Sequence, residues 1–190
     1  MSLPRILVIL DLDETLIHAD PHPVQSGWAF AIGPYKVFTR PGLMTFLDIL
    51  QQHFEVAVWS SASHDYVIGI VTRIFPREYP LQFVWSREKC VHAVPDHTRE
   101  HYPDHSSHMY FVKPLQKVQK AGYGILERML IIDDTPAKAK KNYGNAIYPR
   151  PFTGDPADNE LARLLDYLME IKDEPNMRKI EKRNWRKTPY

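Results

Sequence analysis

One cysteine, Cys90, is too few for an internal disulfide, so a small disulfide-stapled scaffold is excluded. Long apolar runs are missing too: none approaches the ~18 residues of a membrane span. The N-terminal run from Ile6 meets acids within a few residues, so neither a signal peptide nor a membrane anchor is expected there. Net charge is scarce as well. The 24 Lys and Arg against 23 Asp and Glu leave +1, which argues against a uniformly basic nucleic-acid binder. Neither internal repeats nor low-complexity tracts occur. What remains is ordinary globular composition, 44% hydrophobic and 25% charged over 190 residues, long enough for one domain with a sizeable core. The expected setting is intracellular, cytoplasmic or nuclear.

Apolar segments then set the order of elements. "ILVIL" reads as a strand covered on both faces, the kind that parallel sheets require. "WAFAIGPYKVFTR", with Gly33-Pro34 at its centre, predicts a small β-hairpin inserted after that first strand. Beyond Pro41, Leu43, Phe46, Leu47 and Leu50 fall at helical spacing, and "FEVAVW" follows as a strand. The pattern repeats with a helix over 66–75 and the strand "LQFVW". Residues 91–110, rich in His, Pro, Asp and Ser, predict an inserted loop. "PLQKVQKAG" is helical, "RMLII" is a buried strand, and "NELARLLDYLMEI" is an amphipathic helix capped by Asp158 or Asn159. Alternation of this kind predicts an α/β fold, a Rossmann-like parallel sheet flanked by helices on both faces, with ligands at the carboxyl ends of its strands. One domain over 1–171 is expected, followed by a basic tail, 172–190.

Two of the apolar strands end in paired acids, "ILVILDLD" and "MLIIDD". Both deliver carboxylates to the same sheet edge. Two unit charges 4 Å apart repel by about 4 kcal/mol at an effective dielectric near 20, so four clustered acids call for a cation or retained protons. Hard oxygen ligands suit Mg²⁺, which takes one or two carboxylates together with water and substrate phosphate. Asp11 and Asp13, at i and i+2 of an extended segment, point the same way and can serve one centre. One, ionised at neutral pH, is equipped to attack phosphorus; the other, its pKa raised by neighbouring charge, can give a proton to a leaving alkoxide.

These residues resemble a known family. "DLDET" is similar to the aspartate-nucleophile motif of the haloacid-dehalogenase superfamily, and Ser60 in "VAVWSSAS", Lys113 in "YFVKPL" and Asp133-Asp134 in "LIIDDTP" follow in that superfamily's order. "FTRPGLMTFLDIL", "SREKC" and "FVKPL" look more narrowly like the FCP/SCP-like phosphatases, which act on phosphoserine in the RNA polymerase II C-terminal domain. The resemblance covers residues 6–171. It implies a haloacid-dehalogenase-like fold, Asp11 as the nucleophile that becomes an aspartyl-phosphate, and Asp13 as acid and then base. Phosphate would be held by Thr15, Ser60, Ser61 and Lys113, with Arg87 nearby. Mg²⁺ would be held by Asp11, Asp13 (through its backbone carbonyl), Asp133 and Asp134. Family members often carry Asn at the last of these positions, so Asp134 adds a charge.

Plainer readings stand beside these. Ser60 alone would be a helix cap, Lys113 and Arg87 surface side chains, and Asp133-Asp134 the cap of a helix after Pro136. In the 91–110 insert, His97 and His101 have the i, i+4 spacing of a ligand pair, but Pro103 interrupts such a helix and no cysteine joins them. Cys90 reads as an inert buried thiol. In the tail, Met177, Ile180 and Trp185 fit one face of a basic helix packed on the body; an acidic partner or nucleic acid is the other reading. Trp28, Phe30, Tyr35 and Phe38 either cover the core edge or form an apolar pocket.

Only about fifty residues separate Asp11 from Ser60, too few for a large cap domain, and an open, capless site favours phosphate on a protein over an enclosed metabolite. The leading expectation is a Mg²⁺-dependent phosphoserine/phosphothreonine phosphatase whose partner is a phosphorylated protein or peptide; membrane and nucleic-acid partners are not expected. Two others remain: a phosphatase of nucleic-acid ends or small phosphoesters, and a non-catalytic phosphoprotein-binding module like the mitochondrial import-receptor relatives.

Overall fold

The computed structural model describes residues 3–93 and 110–186. Strand β1 (Leu7–Leu10) is followed by β2 (Ile17–Asp20), β3 (Phe30–Ile32) and β4 (Tyr35–Thr39). Helix α1 (Leu43–His53) leads to β5 (Glu55–Trp59), and α2 (His64–Ile74) to β6 (Leu81–Trp85). Two short strands come next, β7 (Val91–Ala93) and β8 (Tyr110–Val112). Then follow α3 (Leu115–Lys120), β9 (Met129–Ile132), α4 (Pro136–Ala139), β10 (Ala146–Ile147) and α5 (Glu160–Ile171).

Alternating burial explains the layers. Strands β10, β9, β1, β5 and β6 lie side by side in that order, each pair parallel, with β1 at the centre. Successive side chains on a strand face opposite ways. Accordingly Val8, Leu10, Val56, Val58, Leu130 and Ile132 join one core with the buried faces of α1, α2 and α5. Leu7, Ile9, Ala57, Trp59, Met129 and Ile131 join a second, with Leu115 and Val118 of α3 and Ala139 of α4. Helices therefore cover both faces, and the polar ends of β1 and β9 emerge together at the carboxyl edge.

Three local expectations change. The hairpin of β3 and β4 is two thirds of a three-stranded antiparallel sheet in the order β2-β4-β3, because the chain leaving β1 turns back and pairs Ile17 with Thr39. The insert 91–110 opens and closes on a ladder, Val91 opposite Val112 and Ala93 opposite Tyr110. Its interior, with His97 and His101, lies outside the described residues, as do residues 187–190. Among the described residues beyond 171 the tail is not a helix: its regular structure there is a single 3₁₀ turn, Met177–Lys179, begun by an Asn176 side chain that accepts the Arg178 N–H at 3.0 Å. Met177 and Trp185 are nevertheless buried in the first core, so the chain beyond 171 is packed on the body. Of the two candidate caps of α5, Asp158 makes the bond, accepting the Glu160 N–H at 2.9 Å.

Candidate active site

Past Leu10 the backbone stays in the sheet for one more residue, with the Asp11 N–H bonded to the Ile132 carbonyl at 2.9 Å, and then curls. The Leu12 carbonyl accepts the N–H groups of Thr15, Leu16 and Ile17 at 3.2, 2.8 and 3.1 Å, and Glu14 takes a left-handed φ of 59°. A turn that tight breaks the strand's alternation. Asp11 and Asp13 accordingly take different partners.

Asp11, 1% exposed, is the centre. Lys113 lies 2.9 Å from its Oδ1 and Lys138 3.0 Å from its Oδ2, while the Leu12 N–H also donates to Oδ1 at 2.8 Å. Burial works to raise the Asp11 pKa, but the two ammonium groups and these hydrogen bonds outweigh it and hold the carboxyl below its ordinary value. Asp11 is thus an ionised, desolvated carboxylate. Asp13 is driven the other way: burial and the Asp11 charge raise its pKa against a 2.6 Å hydrogen bond from the Tyr66 hydroxyl. The pKa values of the two acids are pushed in opposite directions, and their partners differ.

The second acid pair completes the cluster. Lys113, fully buried, also bonds Asp133 Oδ2 at 2.7 Å, and Lys138 stands 3.9 Å from Asp133 Oδ1. Burial and the Asp11 charge push Asp133 up; burial also raises Asp134, against the pull of Lys138. Carboxylate oxygens of Asp11, Asp133 and Asp134 all lie within 4.8 Å of one another, a hard-oxygen donor set that fits a divalent cation such as Mg²⁺. The Asp13 carboxylate is not part of that set.

Neighbouring loops hold these groups in place. Thr15 Oγ accepts the Asp134 N–H at 3.2 Å and donates to Asp134 Oδ1 at 3.4 Å, joining the loops after β1 and β9. Ser60, buried at the end of β5, accepts the Ala62 N–H at 3.0 Å. Ser61 is half-buried, and its carbonyl accepts Arg87 Nε at 2.8 Å; the Arg87 guanidinium is 5.3 Å from the Phe111 ring. Cys90 is buried, its thiol pushed up by that burial.

Four contributors escaped the sequence reading. Lys138 lies one helical turn from Asp134, a spacing that put it within reach of the acids had α4 been given weight. Tyr66 comes from α2 across the sheet. Asn142 brackets Lys113, donating to its carbonyl at 2.8 Å and accepting the Leu115 N–H at 2.8 Å. Arg40 grips both Asp158 oxygens at 2.8 Å and donates to the carbonyls of Thr15 and Arg150 at 2.9 and 2.8 Å. It ties β4, the Thr15 loop and the start of α5 into one frame. Arg40→Ala leaves the Asp158 carboxylate and two carbonyls without that partner, and is expected to cost about 3 kcal/mol in urea unfolding. A loss under about 1 kcal/mol would show the tie to be dispensable.

With this geometry in view, a sequence profile of the NLI interacting factor-like phosphatases matches residues 6–178. The chain belongs to that family. This phosphatase family member is 28% identical over 86% of its length to the mitochondrial import inner membrane translocase subunit TIM50 of Kluyveromyces lactis, spanning 28% of that protein. It is 23% identical, end to end, to a CTD nuclear envelope phosphatase 1 homolog of Caenorhabditis elegans, spanning 76% of it. Among solved structures, the fission yeast RNA polymerase II CTD phosphatase Fcp1 bound to beryllium fluoride superposes with a TM-score of 0.62 at 17% identity; the match covers 88% of this chain and 62% of that one. The shared fold is the haloacid-dehalogenase-like parallel sheet with helices on both faces. No helix among the described residues is long and apolar enough to cross a membrane.

Proposed function

We propose that this phosphatase hydrolyses phosphoserine or phosphothreonine on proteins, through an aspartyl-phosphate at Asp11 and with Mg²⁺ as its metal. The observation that carries the reading is the split between two neighbouring acids: Asp11 ionised between Lys113 and Lys138, and Asp13 raised toward its protonated form beside Tyr66. That is the division a nucleophile and a general acid require.

In the first step an Asp11 oxygen forms a bond to phosphorus while the bond to the seryl or threonyl oxygen breaks, and the Asp13 proton passes to that oxygen. In the second, Asp13, now a carboxylate, takes a proton from water as the water oxygen attacks the phosphoryl group; phosphate leaves and Asp11 is regenerated. Lys113 supplies positive charge where the equatorial oxygens gather negative charge. Ser60, its oxygen already accepting from Ala62, keeps its own proton to donate to a phosphoryl oxygen. Ser61 and Arg87 flank that position. Thr15 acts on the site through Asp134, as a brace. Asp11, Asp133, Asp134 and the Asp13 backbone carbonyl are the groups to hold Mg²⁺, which supplies Lewis-acid stabilisation of the phosphoryl charge.

The short connection between β1 and β5 supports a protein substrate. Between β1 and β5 the chain builds only the three-stranded sheet and α1, and no cap domain intervenes. A Mg²⁺-dependent screen of phosphopeptides, 3′-phosphorylated oligonucleotides and sugar phosphates is expected to show phosphopeptides turned over best, with activity falling to background in chelator. Preference for the oligonucleotide would reassign the substrate class, and chelator-resistant turnover would remove the metal.

A further inference from the structure

A second concave site lies along the outer edge of β10. It is a cleft of about 430 Å³, walled by residues 139–148 on one side and 178–183 on the other. Five cations line it, Lys140, Arg178, Lys179, Lys182 and Arg183, against one acid, Glu181, whose oxygens are bonded to Arg183 Nε at 3.0 Å. Arg178, Lys179 and Arg183 are exposed.

The wall is built into the fold. The buried Lys182 ammonium donates to the carbonyls of Met177, of Gly144 at 2.7 Å and of Ile180 at 3.0 Å, and burial lowers its pKa to about 8. Gly144, at φ +75°, sits so close to the segment that an added Cβ would stand 2.6 Å from the Arg178 carbonyl oxygen. Trp185 Nε1 closes the far end on the Tyr148 carbonyl at 3.4 Å. Lys182 is thus committed to holding the wall, while the exposed cations face the cleft.

The cleft adjoins the catalytic centre. Lys138 of α4 reaches Asp11, and the next two residues, Ala139 and Lys140, line the cleft. At the carboxyl end of β10, Tyr148 also lines it, and after its own burial the charge of Asp133 is what raises its phenol.

We propose that this cleft is a docking subsite for acidic residues flanking the phosphorylated residue of a protein substrate; this rests on the protein-phosphatase reading above. An extended peptide advances about 3.3 Å per residue, so a substrate with its phosphate at Asp11 reaches Lys140 within a few residues. Its Asp and Glu side chains then meet Arg178 and Lys179, with Arg183 beside them in its pair with Glu181. An acidic peptide fits better than a nucleic acid because the net positive charge is concentrated in the C-terminal segment that walls this cleft: residues 1–171 carry a net −3 and repel a long polyanion that leaves the cleft.

The test uses the full chain and a triple variant, Arg178→Ser, Lys179→Ser, Arg183→Ser, at exposed positions, with Lys179→Glu as a second variant. Anisotropy of a fluorescein-labelled, unphosphorylated Glu-rich decapeptide should show binding that weakens about tenfold in the triple variant and also weakens with salt. Turnover of an acid-flanked phosphopeptide should lose a similar factor through KM, while a neutral-flanked phosphopeptide and p-nitrophenyl phosphate are hydrolysed as by the unaltered protein. Equal decapeptide binding by all three proteins overturns the proposal. So does an oligonucleotide of equal charge that binds more tightly than the decapeptide and is lost in the triple variant. If no phosphopeptide is turned over, the protein-phosphatase reading fails, and the anisotropy still decides the cleft.

Discussion

Asp11→Asn abolishes turnover: phosphate release from a phosphopeptide falls by about 10⁴-fold or more, with the fold intact. The amide keeps the volume of the carboxylate and can still accept from the Leu12 N–H and from Lys113 or Lys138, so packing at a position 1% exposed is preserved. What disappears is an anionic oxygen able to bond phosphorus. Unaltered protein with Mg²⁺ is therefore expected to trap beryllium fluoride, and the variant is not. Near-normal rates from purified Asp11→Asn would end the aspartyl-phosphate mechanism. Absence of beryllium fluoride trapping by the unaltered protein would favour a binding module that has kept its acids.

Lys113→Met has the second-largest effect, and it strikes activity and stability together. One fully buried ammonium bridges Asp11 at 2.9 Å and Asp133 at 2.7 Å; a thioether leaves Lys138, partly exposed, to face both. Breaking a buried ion pair on one side costs about 3–5 kcal/mol, which in a domain of this size lowers Tm by about 10 °C. Turnover should drop about 10³-fold, as expected for the loss of a preorganised charge at the phosphoryl oxygens.

The variant's pH dependence carries a definite sign. Asp133 is raised above its ordinary value by burial and Asp11 even with Lys113 present, and removing the lysine raises it further. A carboxyl whose folded pKa exceeds its unfolded one contributes stability at low pH that is lost as pH rises. The Tm deficit should therefore shrink as pH falls from neutrality toward the ordinary carboxylate range. Added Mg²⁺ should narrow it too, by binding only the folded acids. A deficit that grows on acidification would show that the acids are compensated elsewhere.

The extra charge of Asp134 finds its counterpart in Lys138, four residues on. Its pull opposes the rise that burial imposes on Asp134, and the same ammonium sits 3.0 Å from Asp11. The folded chain brings this acid and this lysine into one balance, which motif matching along the sequence does not reveal.

Which parts of this molecule were legible from its residues follows from the range of the interactions involved. Continuous apolar runs at 6–10 and 129–132, each ending in paired acids, identify buried parallel strands and the edge where their carboxylates gather; burial and charge are local properties of a short segment. Asp11, Asp13 and the Asp133-Asp134 pair follow from that, whereas Lys113 stood out only through the resemblance of "FVKPL" to a family motif. Tertiary structure decided the rest: Tyr66 on Asp13, Lys138 on Asp11, Arg40 across three elements, and a C-terminal segment packed as a cleft wall where a helix had been expected. Each of these joins residues brought near one another by the sheet order or by a turn such as the one after Leu10, and hydrogen bonds and ion pairs that act over a few ångströms leave no periodic mark along the chain.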